Sequence, residues 1–178
     1  MITPYKDSDE PKVDQIRKMF NRIAPKYDRL NRIISLGLDR SWRRRALYLL
    51  APYQPKEVLD VATGTGDLAI ELVQTIPSIT HVTGIDISEE MMRIGGEKVH
   101  MLGLDRKIDF LRQDSTATDF TEATFDAATI GFGIRNFSDI PAAARELHRI
   151  LRPSGVLIIV ELSEPTNPIL HLGYKLYA

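Results

Sequence analysis

The fold class of this chain is set by the stretch Glu57-Val58-Leu59-Asp60-Val61-Ala62-Thr63-Gly64-Thr65-Gly66-Asp67-Leu68-Ala69. Its apolar first part is typical of a strand buried in a parallel sheet, and a helical pattern begins at Asp67. Between them, the two glycines of residues 63–66 predict a tight turn. A strand, a glycine turn and a helix in this order are typical of nucleotide-binding α/β sheets.

Two carboxylates distinguish this turn from a general dinucleotide site. Asp60 closes the predicted strand and Asp67 stands where the helix begins. A bound pyrophosphate favours bare N–H groups at the positive end of a helix, and a carboxylate there would repel it. A ligand with an ammonium and a sulfonium group would tolerate or use the acid. The turn therefore favours S-adenosylmethionine over NAD.

The rest of the chain alternates strand and helix patterns. We predict strands at 57–62, 80–86, 107–112, 125–131 and 155–161, and helices at 67–76, 88–102 and 138–151, with start signals at Ser88 and at Ser138-Asp139. Such alternation predicts an α/β fold with a doubly wound, mainly parallel sheet. Ligands of these sheets bind beyond the carboxyl ends of the strands.

The N-terminal segment has a different pattern. Residues 13–50 predict helical pieces, the first interrupted at Pro25 and the last beginning near Asp39 as its N-cap. We therefore predict an N-terminal helical cap over 1–52 and a nucleotide-binding core over 53–178. Because Pro168–Ala178 looks like an apolar helix start with no cap, we expect C-terminal strands of the sheet to be missing from this chain.

Composition excludes several kinds of chemistry. The 178 residues, about one domain, contain no cysteine, which excludes disulfides and thiolate nucleophiles, and we predict no metal site. No apolar run approaches the roughly 20 residues that span a bilayer. These features predict a cytoplasmic protein.

The charge is unevenly distributed. Residues 11–51 hold 11 Lys/Arg and 3 Asp/Glu, a net charge of +8, whereas the remaining 12 basic and 21 acidic residues leave a net charge of −9 elsewhere. A basic segment on an acidic body predicts contact with an anionic partner, either membrane headgroups or nucleic acid. The acidic body makes nucleic acid the weaker interpretation.

Polar residues at successive strand ends form the predicted cofactor site. Asp86 closes the second strand, 20 residues after Gly66, where an acid can accept both hydroxyls of a ribose. Asp114 follows the third strand, where a carboxylate can meet an adenine amino group. The full predicted set is Asp60, Gly64, Thr65, Gly66, Asp86, Ile87, Asp114, Ser115 and Gly131.

The loop after the fourth strand faces the reacting end of a ligand in such sheets. Within Gly131–Phe137, Arg135 is a permanent cation that could hold an oxyanion of the acceptor, with Asn136 as its neutral partner. A surface ion pair is the alternative interpretation for Arg135. The glycine spacing also satisfies G-x-G-x-x-A, so an NAD-dependent oxidoreductase remains a competing hypothesis.

Three stretches resemble the family of quinone-biosynthesis C-methyltransferases. They are Tyr27–Trp42, Gly131–Asn136 and Arg149–Ser163. The sequence departs from the family pattern at four positions, namely Leu30, Asp39, Arg152 and Ser154. Asp39 stands where the family has histidine, so we assign no catalysis to that position.

The resemblance implies a Rossmann-like class I methyltransferase with S-adenosylmethionine as cofactor. It implies that Thr65 and the glycine turn hold the methionine part, that Asp86 holds the ribose, and that Gly131 lies beside the methionine tail. Asp114 and Ser115 would hold the adenine. Tyr27 would belong to the cap over the methyl group. Together with Arg135 and Asn136 of the loop after the fourth strand, it completes the set of predicted catalytic residues.

The resemblance also implies the acceptor and its surroundings. The acceptor would be a prenylated quinol, in the first place demethylmenaquinol, with the ubiquinone precursor or another small molecule as the alternatives. Because a prenyl tail lies in the bilayer, the basic segment and the apolar residues 33–38 predict peripheral contact with an anionic membrane at its inner face. We predict no nucleic-acid partner, and the sequence leaves the oligomeric state open.

Overall fold

The computed structural model describes residues 10–162, and its centre is a five-stranded sheet. The strands follow the order β3-β2-β1-β4-β5, and every neighbouring pair is parallel. Their bounds are β1 Glu57–Val61, β2 His81–Asp86, β3 Ile108–Arg112, β4 Phe125–Gly131 and β5 Leu151–Val160. The strand order reverses between β1 and β4, the place where open α/β sheets bind ligands.

Five α-helices accompany the sheet. They are α1 Lys12–Ile34, α2 Asp39–Leu50, α3 Asp67–Thr75, α4 Glu89–Met101 and α5 Ile140–Ile150, with short 3₁₀ turns at Ala51–Tyr53 and Ile134–Asn136. Side-chain caps start two of them as predicted. Ser88 Oγ accepts from the backbone N–H of Met91, and Asp139 accepts from Ala142. The predicted doubly wound parallel fold is thus confirmed.

Successive residues of β1 point to opposite faces of the sheet and are buried on both. Val58 packs with Leu47 of α2 and Leu72 of α3 in one hydrophobic cluster. Leu59 packs with Leu147 of α5 in the other. This period-two pattern fixes the register of β1, because a slip by one residue would exchange the two faces. It also holds the end of β1 in place for the turn that follows.

Three predictions about element boundaries were wrong. Pro25 does not interrupt a helix, because α1 runs unbroken through it. A proline inside a helix removes one backbone hydrogen bond, and the packing of the helix before and after it can outweigh that loss. Asp39 does not cap α2, because its side chain is buried and accepts hydrogen bonds from Ser35 and Arg43. Strand β5 begins at Leu151, earlier than position 155, with an irregular register around Phe125 of β4.

Two further predictions are not decided by the fold. The expectation of missing C-terminal strands rests on residues 168–178, which lie outside the described range. The boundary between a cap over 1–52 and a core over 53–178 stays a prediction. Within residues 10–162, no helix combines the length and apolar character needed to cross a membrane.

Candidate functional site

The glycine turn after β1 has the predicted strand–turn–helix form. Its backbone enters the left-handed region at Ala62 (φ +53°), Gly64 (φ +56°) and Gly66 (φ +77°). The N–H of Thr63 donates to the carbonyl of Ile85 on β2, so the turn is anchored to the neighbouring strand. Gly66 is then the N-cap residue of α3. The turn therefore presents backbone, rather than side chains, at the edge of the sheet.

One aromatic ring explains why glycine is required on the outer side of this turn. A Cβ added to Gly66 would lie 2.6 Å from Phe110 Cζ, and one added to Gly84 of β2 would lie 2.6 Å from Phe110 Cδ1. The ring of Phe110, on β3, thus packs into a space that these two glycines and Gly95 of α4 leave open. This packing holds the turn against β2 and β3.

Asp86 ends β2 beside the turn. Its Oδ2 accepts from the N–H of Gly64 at 2.9 Å, and its Oδ1 accepts from the N–H of Ser88 at 2.8 Å. Burial raises the pKa of this carboxyl, while hydrogen bonds from the backbone of Ser88, Gly64 and Ile87 partly oppose that rise. The carboxylate is therefore held rigidly, and each oxygen keeps a lone pair for another donor.

Asp60 lies at the end of β1 and is 1% exposed. Its two oxygens accept hydrogen bonds from the hydroxyls of Thr63, at 2.6 Å, and Thr129, at 2.7 Å. Burial raises the pKa of this carboxyl to about 6, and the two hydroxyls oppose the rise. Asp60 thus ties β1, β4 and the turn together, and a direct contact with a cofactor stays a prediction.

The larger of two cavities at this edge of the sheet comprises about 730 Å³, including the solvent at its open mouth. Apolar side chains of α1, including Val13, Ile16 and Phe20, form one wall. Eight predicted site residues line it: Tyr27, Gly64, Asp86, Ile87, Asp114, Ser115, Gly131 and Asn136. A mostly apolar space with a few convergent polar groups is typical of a small-molecule site.

A smaller cavity of about 430 Å³ adjoins the first, because both are lined by Tyr27, Ala62, Gly64, Gly131 and Phe132. Polar side chains dominate the rest of its lining, which comprises Asn31, Arg43, Asp60, Thr63, Thr65, Asp67 and Leu68. The two cavities therefore form one cleft with an apolar part and a polar part. The predicted residues Gly66 and Arg135 line neither part.

Asp114 and Ser115 line the apolar part as predicted, but Asp114 also has a local task. Its Oδ1 accepts from both the N–H and the hydroxyl of Thr116, at 2.9 and 2.8 Å. The carboxyl thus shapes the loop after β3. Its second oxygen remains for a ligand, so a contact with adenine stays a prediction.

Helix α1 covers the cleft with aromatic side chains. Tyr27 lines both parts, and its ring packs edge-on against Phe20 with centroids 6.2 Å apart. Burial raises the pKa of the Tyr27 phenol, and the positive charge of Arg135 opposes this. Tyr27 is therefore a neutral hydrogen-bonding group at the junction of the two parts, which agrees with its predicted place in the cap.

Polar bridges that the sequence analysis missed hold α1 over the cleft. Asp28 accepts from the hydroxyl of Thr65 in the glycine turn at 2.5 Å, and Lys98 of α4 lies 2.6 Å from Asp28. Farther along, Ser88 donates to the side chain of Asn21 at 2.7 Å. Asp28 follows Tyr27 in the stretch Tyr27–Trp42, but no sequence signal paired it with Thr65.

Asp67 does not present the free carboxylate that the sequence argument assumed. Its Oδ1 lies 2.6 Å from Lys98 Nζ, and its Oδ2 lies 3.5 Å from an Arg43 nitrogen. The charge of Asp67 is thus largely compensated within the protein. The preference for S-adenosylmethionine over NAD therefore cannot rest on repulsion by this acid.

Arg43 is the centre of an ion-pair cluster under the polar part of the cleft. It is 4% exposed and lies 2.9 Å from Asp39 and 2.9 Å from Glu71. Burial alone would lower the pKa of this guanidinium, but the carboxylates of Glu71, Asp67 and Asp39 together raise it. The sequence analysis did not single out Arg43, because its acidic partners come from two different helices.

Arg135 forms a surface ion pair, the alternative considered for it above. Its side chain is 52% exposed and pairs with Glu161 just after β5. Asn136, in the same 3₁₀ turn, does line the apolar part of the cleft. The structure therefore brings Asn136 to the cleft and leaves Arg135 at its margin.

The sequence and the fold are similar to those of known proteins. The model of the ubiE/COQ5 methyltransferase family matches residues 6–178. A Porphyromonas gingivalis protein named demethylmenaquinone methyltransferase is 49% identical, over 99% of this chain and 72% of that protein. A Geotalea uraniireducens protein named ubiquinone/menaquinone biosynthesis C-methyltransferase UbiE is 40% identical, over 93% of this chain and 71% of that protein.

Among solved structures, a SAM dependent methyltransferase from Aquifex aeolicus superposes with a TM-score of 0.60 at 26% identity, covering 69% of this chain and 66% of that one. The glycine turn, the acid at the end of β2 and the aromatic cap are thus found in a chain whose relatives are methyltransferases. The resemblance stated from the sequence is confirmed, and the chain belongs to the ubiE/COQ5 methyltransferase family.

Proposed function

We propose that this protein transfers a methyl group from S-adenosylmethionine to a ring carbon of demethylmenaquinol, a prenylated quinol. The observation that carries the proposal is the two-part cleft around Gly64, with an apolar part beside Asp86 and a polar part beside Thr65. S-adenosylmethionine has a nucleoside at one end and a zwitterionic amino acid at the other. The names of the relatives support the quinol acceptor.

The residues present fit this cofactor. Asp86 keeps a lone pair on each oxygen for ribose hydroxyls, and Ile85 and Met91 supply apolar wall for a base. The left-handed Gly64 lets the backbone approach the ligand, because it lacks a Cβ and the nearest atom to one placed there would be a methionine methyl at 3.6 Å. The other predicted cofactor-binding residues that line the cleft stay in the proposed set, and Gly66, which lines neither part, leaves it.

When bound, the cofactor supplies a sulfonium methyl group that is already activated for transfer to a nucleophile. The protein's own task is then to align the reactants and to exclude water. Phe20 and Tyr27 of α1 cover the cleft and perform the exclusion. Asn136 lines the apolar part and offers an amide to a quinol oxygen.

Arg135 is proposed to stabilise the phenolate of the quinol from the margin of the cleft. We expect Arg135→Ala to lower turnover about tenfold, less than the ~10²–10³ typical of buried oxyanion donors, because water screens a half-exposed guanidinium. Affinity for S-adenosylmethionine should change less than twofold. Steady-state kinetics and calorimetry on the same preparation measure both quantities.

A substitution of Glu161, the ion-pair partner of Arg135, provides the control. Glu161→Gln removes the carboxylate that competes for the guanidinium, and turnover should be retained or raised. Turnover of Arg135→Ala equal to that of the wild type would remove Arg135 from the mechanism.

We also propose a cytoplasmic protein in peripheral contact with the inner face of an anionic membrane. The connection between α1 and α2 exposes apolar side chains that could enter a bilayer, with Ile33 58%, Leu36 86% and Leu38 50% exposed. Arg32 and Arg40 are exposed beside them. Apolar insertion together with basic side chains is the usual basis of peripheral binding to anionic lipids.

Sedimentation with vesicles tests this contact. Wild-type protein should pellet with phosphatidylglycerol vesicles at low salt, and much less with phosphatidylcholine or at high salt. Leu36→Ser should reduce pelleting about tenfold, because it removes an apolar side chain that the bilayer would bury. Met101→Ser, at a 77% exposed position on α4, is the matched control and should pellet normally. No pelleting at low salt would refute the contact.

The proposed reaction is tested by incubating the protein with S-adenosylmethionine and two reduced acceptors, demethylmenaquinol and the ubiquinone precursor. Mass spectrometry should detect a methyl group added to the ring of demethylmenaquinol. Methylation of the ubiquinone precursor alone would show that the protein acts in ubiquinone biosynthesis instead. Methylation of neither, by protein that binds S-adenosylmethionine, would contradict the proposed acceptor class.

A further inference from the structure

Arg43 borders the polar part of the cleft although it is almost fully buried. Of the described residues that line this part, it is the only one with a positive charge. Its 4% exposure removes it from bulk water, and because the carboxylates of Asp39, Glu71 and Asp67 offset its charge, it acts through its N–H groups at short range. A cation in this position acts on whatever occupies the polar part of the cleft.

The guanidinium of Arg43 is anchored but not saturated. Nη1 is 2.9 Å from Asp39, and Nη2 is 2.9 Å from Glu71. Nε is buried and has no hydrogen-bond partner among residues 10–162. Nε is not exposed to the cleft, but Nη1 donates only to Asp39 among residues 10–162, so its second N–H remains for a further acceptor.

The anchoring carboxylates also preorganise the guanidinium. Asp39 lies one turn away on α2 and Glu71 lies on α3, so the side chain is held from two helices. Because the Arg43 side chain is already fixed, binding of an acceptor does not have to immobilise it, and the entropic cost of binding is lower. This distinguishes Arg43 from Arg44, its exposed neighbour on the same helix.

The polar part of the cleft carries both signs of charge. Arg43 lines it together with the carboxylates of Asp60 and Asp67. A zwitterion is the ligand class that matches such a lining, because its carboxylate requires a cation and its ammonium requires acceptors. The adjoining apolar part suits the nucleoside of the same molecule.

We propose that Arg43 binds the carboxylate of the methionine moiety of S-adenosylmethionine. This inference rests on the proposed cofactor and adds a residue to its site. Asp39 and Glu71 are then positioning residues, which fix the guanidinium and compensate its charge when no acceptor is present. The role differs from a purely structural one, because it predicts selectivity for the carboxylate of the ligand.

Calorimetric titration with two ligands tests the proposal. Decarboxylated S-adenosylmethionine keeps the nucleoside, sulfonium and ammonium groups but lacks the carboxylate. Arg43→Gln should weaken binding of S-adenosylmethionine about 30-fold, the effect of losing one charge-assisted hydrogen bond. Binding of the decarboxylated ligand should change less than threefold. Arg44→Gln removes the same charge at an exposed site and should affect neither ligand.

The affinities of Arg43→Gln for the two ligands decide whether Arg43 contacts the carboxylate. An equal loss of affinity for both ligands in Arg43→Gln would overturn it, since the residue would then act on the fold of the site. If Arg43→Gln does not fold, Arg43→Lys keeps the charge but loses the fork geometry, and the preference of wild type for the carboxylated ligand should fall about tenfold. Failure of the wild-type protein to bind S-adenosylmethionine would instead refute the proposed function.

Discussion

Gly66→Ala is expected to destabilise the protein by about 3 kcal/mol. Roughly 1 kcal/mol comes from placing a Cβ on a residue with φ +77°. About 2 kcal/mol comes from overlap with the ring of Phe110, because the new Cβ would lie 2.6 Å from Cζ. Urea-induced unfolding measures the difference from wild type.

A second glycine provides the control. A Cβ on Gly96, inside α4, meets no atom within 4 Å. Gly96→Ala should therefore stabilise the protein by about 0.5–1 kcal/mol, the usual gain for alanine in a helix. The double variant Gly66→Ala/Phe110→Leu should lose less than the sum of its single changes. Wild-type stability in Gly66→Ala would show that the turn does not need glycine there.

The second large effect concerns Asp60 and depends on pH. Burial raises the pKa of this carboxyl to about 6 in the folded state, above the value of 3.8 expected when it is exposed. Its protonated form therefore favours folding below pH 3.8, and that contribution is lost as pH rises through 6. The full change is about 3 kcal/mol, since each pKa unit corresponds to ~1.4 kcal/mol.

Asp60→Asn isolates this contribution, because asparagine keeps the shape of the side chain and cannot ionise. Between pH 4.5 and 7.5, the stability of wild type relative to the variant should fall by about 2 kcal/mol. Asp126→Asn is the control with the opposite sign: Lys56 and Glu57 donate backbone hydrogen bonds to Asp126, and its pKa is lowered. If the free energies of unfolding of wild type and Asp60→Asn differ by the same amount at both pH values, the raised pKa of Asp60 is contradicted.

Features of the site that depend on local signals were predictable from the sequence. Gly64 and Gly66 follow an apolar run, and this order of residues alone indicates a turn between strand and helix. Asp86 could be placed because β1 and β2 pair in parallel, with Val61 opposite Ile85, so both strands end at the same edge. In these cases the residue pattern of a single strand and its following turn was sufficient to place the site residue.

Features that depend on packing between distant elements were not predictable. Lys98 compensates Asp67 although 31 residues separate them, and Glu161 holds Arg135 from beyond β5. The Arg43 cluster likewise requires α2 to pack on α3. Sequence spacing gives no signal for such ion pairs, because charged residues on helices are usually solvated. This is why the role of Asp67 was misjudged.

The most direct test of the account is calorimetric titration of the protein with S-adenosylmethionine and, separately, with NADH at equal concentrations. The two-part cleft predicts that S-adenosylmethionine binds with a measurable heat and that NADH does not. Asp86→Ala should abolish that binding, because it removes the fixed carboxylate beside the glycine turn. Binding of NADH without binding of S-adenosylmethionine would contradict the account and favour an oxidoreductase.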